Sequence, residues 1–128
     1  MDRARLSQLL VGDHEAYSMA VAALEAGAAF KVWDIGMPPK DLLAVLVNRE
    51  RRARRSRQPT IGLSEAIAAL REYSGAEVFL GFIDDRDRDG YRYQVVLDET
   101  SSRVICCVGV KFSDSGSMAH GQRSDLDE

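Results

Sequence analysis

The chain has 128 residues, of which 45% are hydrophobic and 29% are charged. These values are ordinary for one soluble globular domain, and no apolar run approaches the roughly 20 residues that a membrane-spanning helix needs. The formal net charge of −3 argues against a general nucleic-acid coat protein, although a local basic patch can still bind phosphate. Charged side chains interrupt residues 1–10, so no signal peptide is expected and the cytoplasm is the expected compartment.

The first half of the chain, residues 1–57, predicts a helical part of two or three helices. Residues 6–11 form a short apolar piece, and an alanine-rich helix is expected over residues 14–28. Residues 30–35, which include the only tryptophan, are expected to form a short helical turn or an extended linker.

The stretch from Gly36 to Arg57 combines an apolar half with a basic half. Pro38 and Pro39 suit the first turn of a helix, where the missing N–H would have no partner. The apolar positions that follow on one helical face are Leu42, Val45 and Leu46. Six arginines come next, and rotation by about 100° per residue would spread them around the whole helix. They are Arg49, Arg51, Arg52, Arg54, Arg55 and Arg57. We expect the apolar half to be buried and the arginines to project into solvent or onto a partner.

The second half predicts a helix packed on a small sheet. Residues 63–74 place apolar side chains at helical spacing. Three later segments are rich in β-branched and aromatic residues, show period-two alternation and are separated by turn residues, which predicts a three-stranded antiparallel meander. They are residues 77–83, 91–98 and 103–112. The expected fold is thus one α+β domain over residues 1–112, followed by a disordered tail at 113–128, where Ser, Gly and Asp dominate.

Residues 30–47 also allow a helix-turn-helix interpretation, with residues 30–35 as the first helix and Gly36 and Met37 as the turn. In such a unit, base contacts come from the start of the second helix, whereas the arginines of this chain lie at its end. Arginines there would hold backbone phosphates and add affinity without reading sequence. The alternative is a packed helix pair with a solvated, charged end.

The segment AYSMAVAALEAGAAFKVWDIGMPPKDLLAVL, residues 16–46, resembles the helical core of the D subunit of the bacterial flagellar master transcriptional regulator. The similarity lies in the order of an alanine-rich helix, a short apolar piece, an isoleucine-glycine turn and a leucine-rich helix. Its residues are Tyr17, Ala20, Leu24, Phe30, Gly36 and Leu46. The resemblance implies a dimeric transcription factor subunit with a largely helical fold.

Two other patterns in the sequence resemble binding or reactive sites. Asp85, Asp87 and Asp89 match the opening of a calcium loop, but the position of the closing glutamate is Val96, so the expected structure is a polar hairpin loop that does not bind calcium. Adjacent Cys106 and Cys107 point to opposite faces of a strand, which excludes an unstrained disulfide between them and suits a reducing compartment.

The sequence therefore predicts a small, non-enzymatic regulatory protein that contacts nucleic acid through basic side chains. These side chains are Lys40, Arg49, Arg51, Arg52, Arg54, Arg55 and Arg57. The alternative is a protein-interaction module, such as an inhibitor or adaptor, that binds an acidic partner through the same arginines or through the sheet edge. No catalytic residue, cofactor or metal is expected, and a homodimer is one expected assembly.

Overall fold

The computed structural model describes residues 3–12, 14–33, 35–56, 60–85 and 91–111. Within these residues the chain forms an α+β fold of four helices and five strands. In chain order they are α1 (Arg3–Leu9), α2 (Glu15–Glu25), β1 (Phe30–Val32), α3 (Pro39–Ser56), β2 (Thr60–Ile61), α4 (Leu63–Glu72), β3 (Phe79–Asp85), β4 (Tyr91–Leu97) and β5 (Val104–Lys111).

The strands form one antiparallel sheet in the order β1-β3-β4-β5-β2. Its centre is the predicted meander, because β3 pairs with β4 and β4 with β5. The number of strands was predicted wrongly, since β1 pairs with β3 at one edge and β2 pairs with β5 at the other. These edge strands have three and two residues, which is too short for the alternation that marks a strand in sequence.

Helices cover both faces of the sheet. Side chains alternate along a strand, so Ile83 and Tyr93 lie on what we call the back face and Phe82 and Gln94 on the front face. The back face packs against α1 and α2, which contribute Leu6, Ala16, Ala20, Ala23 and Leu24, and against Leu10, which follows α1. The front face packs against α3 and α4, which contribute Leu42, Leu46, Leu63, Ala66, Ile67 and Leu70. The predicted helical part is therefore not separate from the sheet, because its helices are layers on either side of it.

Gly62 allows the chain to pass from β2 into α4. Its φ of +80° lies in the left-handed region, which side chains rarely adopt. A Cβ at this position would lie 2.8 Å from the carbonyl oxygen of Cys107 and 2.9 Å from the Cβ of Ala16. Glycine is thus required by both the backbone conformation and the close approach of β5 and α2.

The helix-turn-helix interpretation is wrong, because its first helix does not form. Phe30–Val32 is a strand, and the backbone of Met37 exchanges hydrogen bonds with that of Val78 beside β3. For the same reason, the largely helical fold that the resemblance implied does not describe this chain.

The predicted tail at 113–128 lies outside the described residues. None of the described helices is long and apolar enough to cross a membrane.

Candidate nucleic-acid interface

α3 has an inner stripe and an outer arc of side chains. The inner stripe consists of Leu42, Leu46, Arg49 and Ala53, which are spaced by four, three and four residues. It therefore continues from the apolar half of the helix into the basic half. Leu42 and Leu46 are buried, and Arg49 and Ala53 are half-buried. The other described arginines of α3 are exposed. We call them the arginine arc: Arg51, Arg52, Arg54 and Arg55. At about 100° per residue they span an arc of roughly 160° on the side away from the inner stripe.

Arg49 is therefore not part of the exposed cluster that the sequence predicted. Its Nη1 donates a hydrogen bond of 3.2 Å to Oε1 of Gln94, a buried residue on the front face. Burial of the guanidinium, and next the positive charge of Arg52, lowers the pKa of Arg49. Arg52 lies three residues further along α3, so the two guanidiniums are on neighbouring turns of the helix.

Glu50 joins α3 to the neighbouring helix. Its Oε2 accepts a hydrogen bond of 3.2 Å from the hydroxyl of Ser64 in α4, and lies 3.8 Å from Nη2 of Arg54. The side chain of Arg54 is 78% exposed, so this ion pair adds little stability and leaves the guanidinium accessible. The basic end of α3 is thus held on the domain by Arg49 and Glu50 while the arginine arc faces outward.

Lys40 does not join this cluster. Lys40 is exposed near the beginning of α3, about 16 Å along the helix axis from Arg51 at 1.5 Å per residue. Arg57 lies outside the described residues. Among the described residues, the part of the predicted basic site that is brought together is the arginine arc, with Arg49 as its anchor on the sheet.

A second group of side chains, which the sequence did not predict, lies on the front face beside α3. The ring centroids of Trp33 and Phe82 are 5.1 Å apart, and the guanidinium carbon of Arg92 lies 5.2 Å from the centroid of Phe82. Nε of Arg92 also donates a 2.8 Å hydrogen bond to Oδ1 of Asp84, which fixes its position over the ring. We call Trp33, Phe82 and Arg92 the aromatic platform. Trp33 is 57% exposed, so the platform is open to solvent.

The aromatic platform is linked across the sheet to Arg49, the residue that anchors the basic end of α3. Phe82 in β3 pairs directly with Gln94 in β4, so their side chains are neighbours on the front face, with strands roughly 4.8 Å apart. Gln94 in turn accepts the hydrogen bond from Arg49. A row of neighbouring side chains thus runs from Trp33 through Phe82 and Gln94 to Arg49 at the basic end of α3.

A recess of about 500 Å³ lies beside the aromatic platform, where the connection from α2 to β1 passes the end of β3. All three platform residues line it, together with Lys31, Asp84 and Asp85 and the small residues at 26–29. The two cationic and two acidic residues among them cancel in formal charge. Such a recess suits a planar, polar, uncharged group better than a phosphate.

A signal for this site was present in the sequence. Lys31 and Trp33 are two residues apart, which puts both on one face if the segment is a strand. The segment was instead expected to be a helical turn or a linker, and nothing in sequence indicated that it would pair with β3 beside Phe82. The aromatic platform depends on long-range pairing that a local pattern does not reveal.

The calcium pattern is not assembled by the residues that the structure describes. Asp85 is 4% exposed and accepts a hydrogen bond of 2.9 Å from the hydroxyl of buried Tyr93. Asp87 and Asp89 lie outside the described residues. Within the described residues, no group of three or more histidine, cysteine or acidic side chains is arranged to hold a metal ion.

The cysteines are free thiols in the core. Cys106 packs on the front face and Cys107 on the back face, as alternation along a strand predicts. Burial raises the pKa of Cys106 to about 12, and burial followed by the charge of Cys106 raises the pKa of Cys107 further. Both thiols therefore stay protonated at neutral pH and are poor nucleophiles.

Comparison with known protein families, with curated proteins and with solved structures finds no match to this chain. The features of the molecule that point to a function are the arginine arc, the aromatic platform and the recess.

Proposed function

We propose that this chain is a small, non-enzymatic regulatory protein that contacts nucleic acid through the arginine arc. The observation that carries this proposal is the division of α3 into an anchored inner stripe and an exposed basic surface. Arg51, Arg52, Arg54 and Arg55 are exposed on one side of the helix. A chain with a formal net charge of −3 that concentrates four exposed guanidiniums on two turns of one helix has a local field there suited to phosphate.

The contact is expected to be independent of base sequence in duplex DNA. Sequence reading by a helix in the major groove usually uses residues near its beginning, and the basic side chains here lie at its end. Guanidiniums bind phosphate oxygens with two parallel hydrogen bonds, which gives affinity and orientation without base discrimination. The arginine arc therefore supports backbone binding.

A protein partner is the competing function, and a specific observation favours it. Ile35 is 79% exposed and Trp33 is 57% exposed, both next to β1. β1 is an edge strand of three residues, and its outer side has no partner strand among the described residues. An acidic partner segment could add to this edge, cover Ile35 and place carboxylates near the arginines.

Binding of a labelled DNA duplex, followed by fluorescence anisotropy at about 50 mM salt, tests the proposal. We expect saturable binding that weakens strongly as salt is added. Absence of binding to DNA and to RNA, with the protein shown to be folded by circular dichroism, would end the nucleic-acid proposal and leave the protein partner as the remaining candidate.

A further inference from the structure

The recess beside Trp33 has the shape and chemistry of a site for one planar ring. Trp33 is the only tryptophan of the chain, yet more than half of its surface is exposed although Phe82 lies beside it. Large aromatic side chains are usually buried to a greater extent, since burial stabilises the fold. The indole of Trp33 lies against the ring of Phe82 and is still exposed to solvent, so a planar ring of a ligand can stack on it.

The charges around the recess are arranged in two zones. At the aromatic platform, Arg92 is paired with Asp84, and the described residues that line the recess carry two positive and two negative formal charges. Across the sheet, the arginine arc is an exposed positive surface. A ligand that spans both zones carries an uncharged planar polar group at one end and negative charge at the other.

We propose that the recess takes an unpaired base of a single nucleic-acid strand, which stacks on Trp33 while the strand's phosphates lie on the arginine arc. This inference rests on the proposed function and makes it more specific, because it names single strands as the preferred ligand. Bases stack on aromatic side chains whatever their sequence, so the preference is for strandedness. In a duplex the bases are already stacked on each other and are not offered to Trp33.

The polar groups at the rim complete the fit. Lys31 carries N–H donors, and the carboxylate of Asp84, which accepts one hydrogen bond from Arg92, is 47% exposed. The edge of a base carries both donors and acceptors, so it can satisfy both kinds of group. An acidic peptide would offer carboxylates to a recess that already contains two.

Because Trp33 is the single tryptophan, its fluorescence reports directly on stacking. The test titrates the protein with a single-stranded DNA oligonucleotide, with the duplex of the same sequence, and with an abasic strand that has the same phosphates without bases. We expect the single strand to quench Trp33, and the duplex and abasic strand to bind without quenching. The variant Trp33→Ala should weaken binding of the labelled single strand by about fivefold to a hundredfold and leave duplex binding unchanged.

Two further variants control for structure. Trp33→Phe keeps a stacking ring and should retain most of the single-strand affinity, whereas Ile35→Ala removes a more exposed apolar side chain from the same segment and should have no effect. If the single strand and the duplex bind equally, without quenching and without change in Trp33→Ala, the stacking inference is wrong and the proposed function stands. If neither ligand binds the folded protein, both fail.

Discussion

The guanidinium of Arg49 in α3 is hydrogen-bonded to the side-chain oxygen of Gln94 in β4, 45 residues further along the chain. This bond fixes the basic end of α3 on the front face of the sheet. It also separates Arg49, which is half-buried, from the four exposed guanidiniums of the arginine arc. The orientation of the proposed interface depends on it.

Replacing one partner of this hydrogen bond should lower the free energy of unfolding more than replacing both partners. In Gln94→Leu the half-buried guanidinium loses its acceptor, and in Arg49→Met the buried amide loses its donor, so each variant should lose about 1–3 kcal/mol of unfolding free energy. The double variant leaves neither group unsatisfied and should recover most of the loss. Urea denaturation of the wild type, the two single variants and the double variant measures the coupling energy between Arg49 and Gln94. Additive losses would show that the bond does not anchor α3.

Leu46 and Val45 are adjacent in α3 but differ in burial, at 0% and 44% exposed. Leu46→Ala should lower the free energy of unfolding by about 2–5 kcal/mol, because it leaves a cavity between α3 and the sheet. Val45→Ala should cost less than about 1 kcal/mol, because the side chain is already half in water. Equal losses in chemical denaturation would contradict the placement of α3.

Stability should fall at alkaline pH because of the buried thiols. In the unfolded chain the cysteines ionise near their ordinary pKa of 9, whereas burial raises the pKa of Cys106 to about 12 and that of Cys107 further. The unfolded state therefore loses protons first, and stability decreases as pH rises from about 9 to 12. At pH 10 the free energy of unfolding should be lower than at neutral pH by about 1.4 kcal/mol for each thiol.

Denaturation of the wild type and of Cys106→Ala/Cys107→Ala at both pH values measures this effect. The double variant should show a much smaller decrease between pH 7 and pH 10. Tyr17, whose pKa is raised to about 12 mainly by burial, adds a smaller decrease that begins near its ordinary value of 10, because this side chain is only half-buried. An identical decrease in both proteins would show that the thiols are not its source.

The long, periodic elements were predictable from sequence. The helix predicted to start at the prolines is α3, and the three β-rich segments are the centre of the sheet. These elements carry enough apolar positions for their period to be recognised. The short strands β1 and β2 carry too few, and they form because the edges of β3 and β5 offer unpaired backbone groups.

The candidate site was predictable only in part. The arginines were visible in the sequence as a cluster. Arg49 was expected to be exposed and Val45 to be buried, whereas in the structure Arg49 is half-buried and Val45 is 44% exposed. Arg49 follows the i, i+3 and i+4 spacing of the buried stripe, whereas Val45 lies about 100° from Leu46 and faces away from the packed surface. Burial of a charged residue requires a partner such as Gln94, which sequence alone could not supply.

The salt dependence of duplex binding tests the central claim most directly, because each phosphate held by an arginine releases condensed counterions. We expect log Kd to change with log salt concentration by about 0.9 per phosphate, and Arg51→Ala/Arg55→Ala to reduce this slope by about two. The control Arg5→Ala/Arg71→Ala removes the same charge from exposed positions elsewhere, on α1 and at the end of α4 away from the Ser64 contact, and should leave the slope unchanged. Equal slopes in the two double variants, or no binding by the folded wild type at about 50 mM salt, would contradict the assignment of the arginine arc.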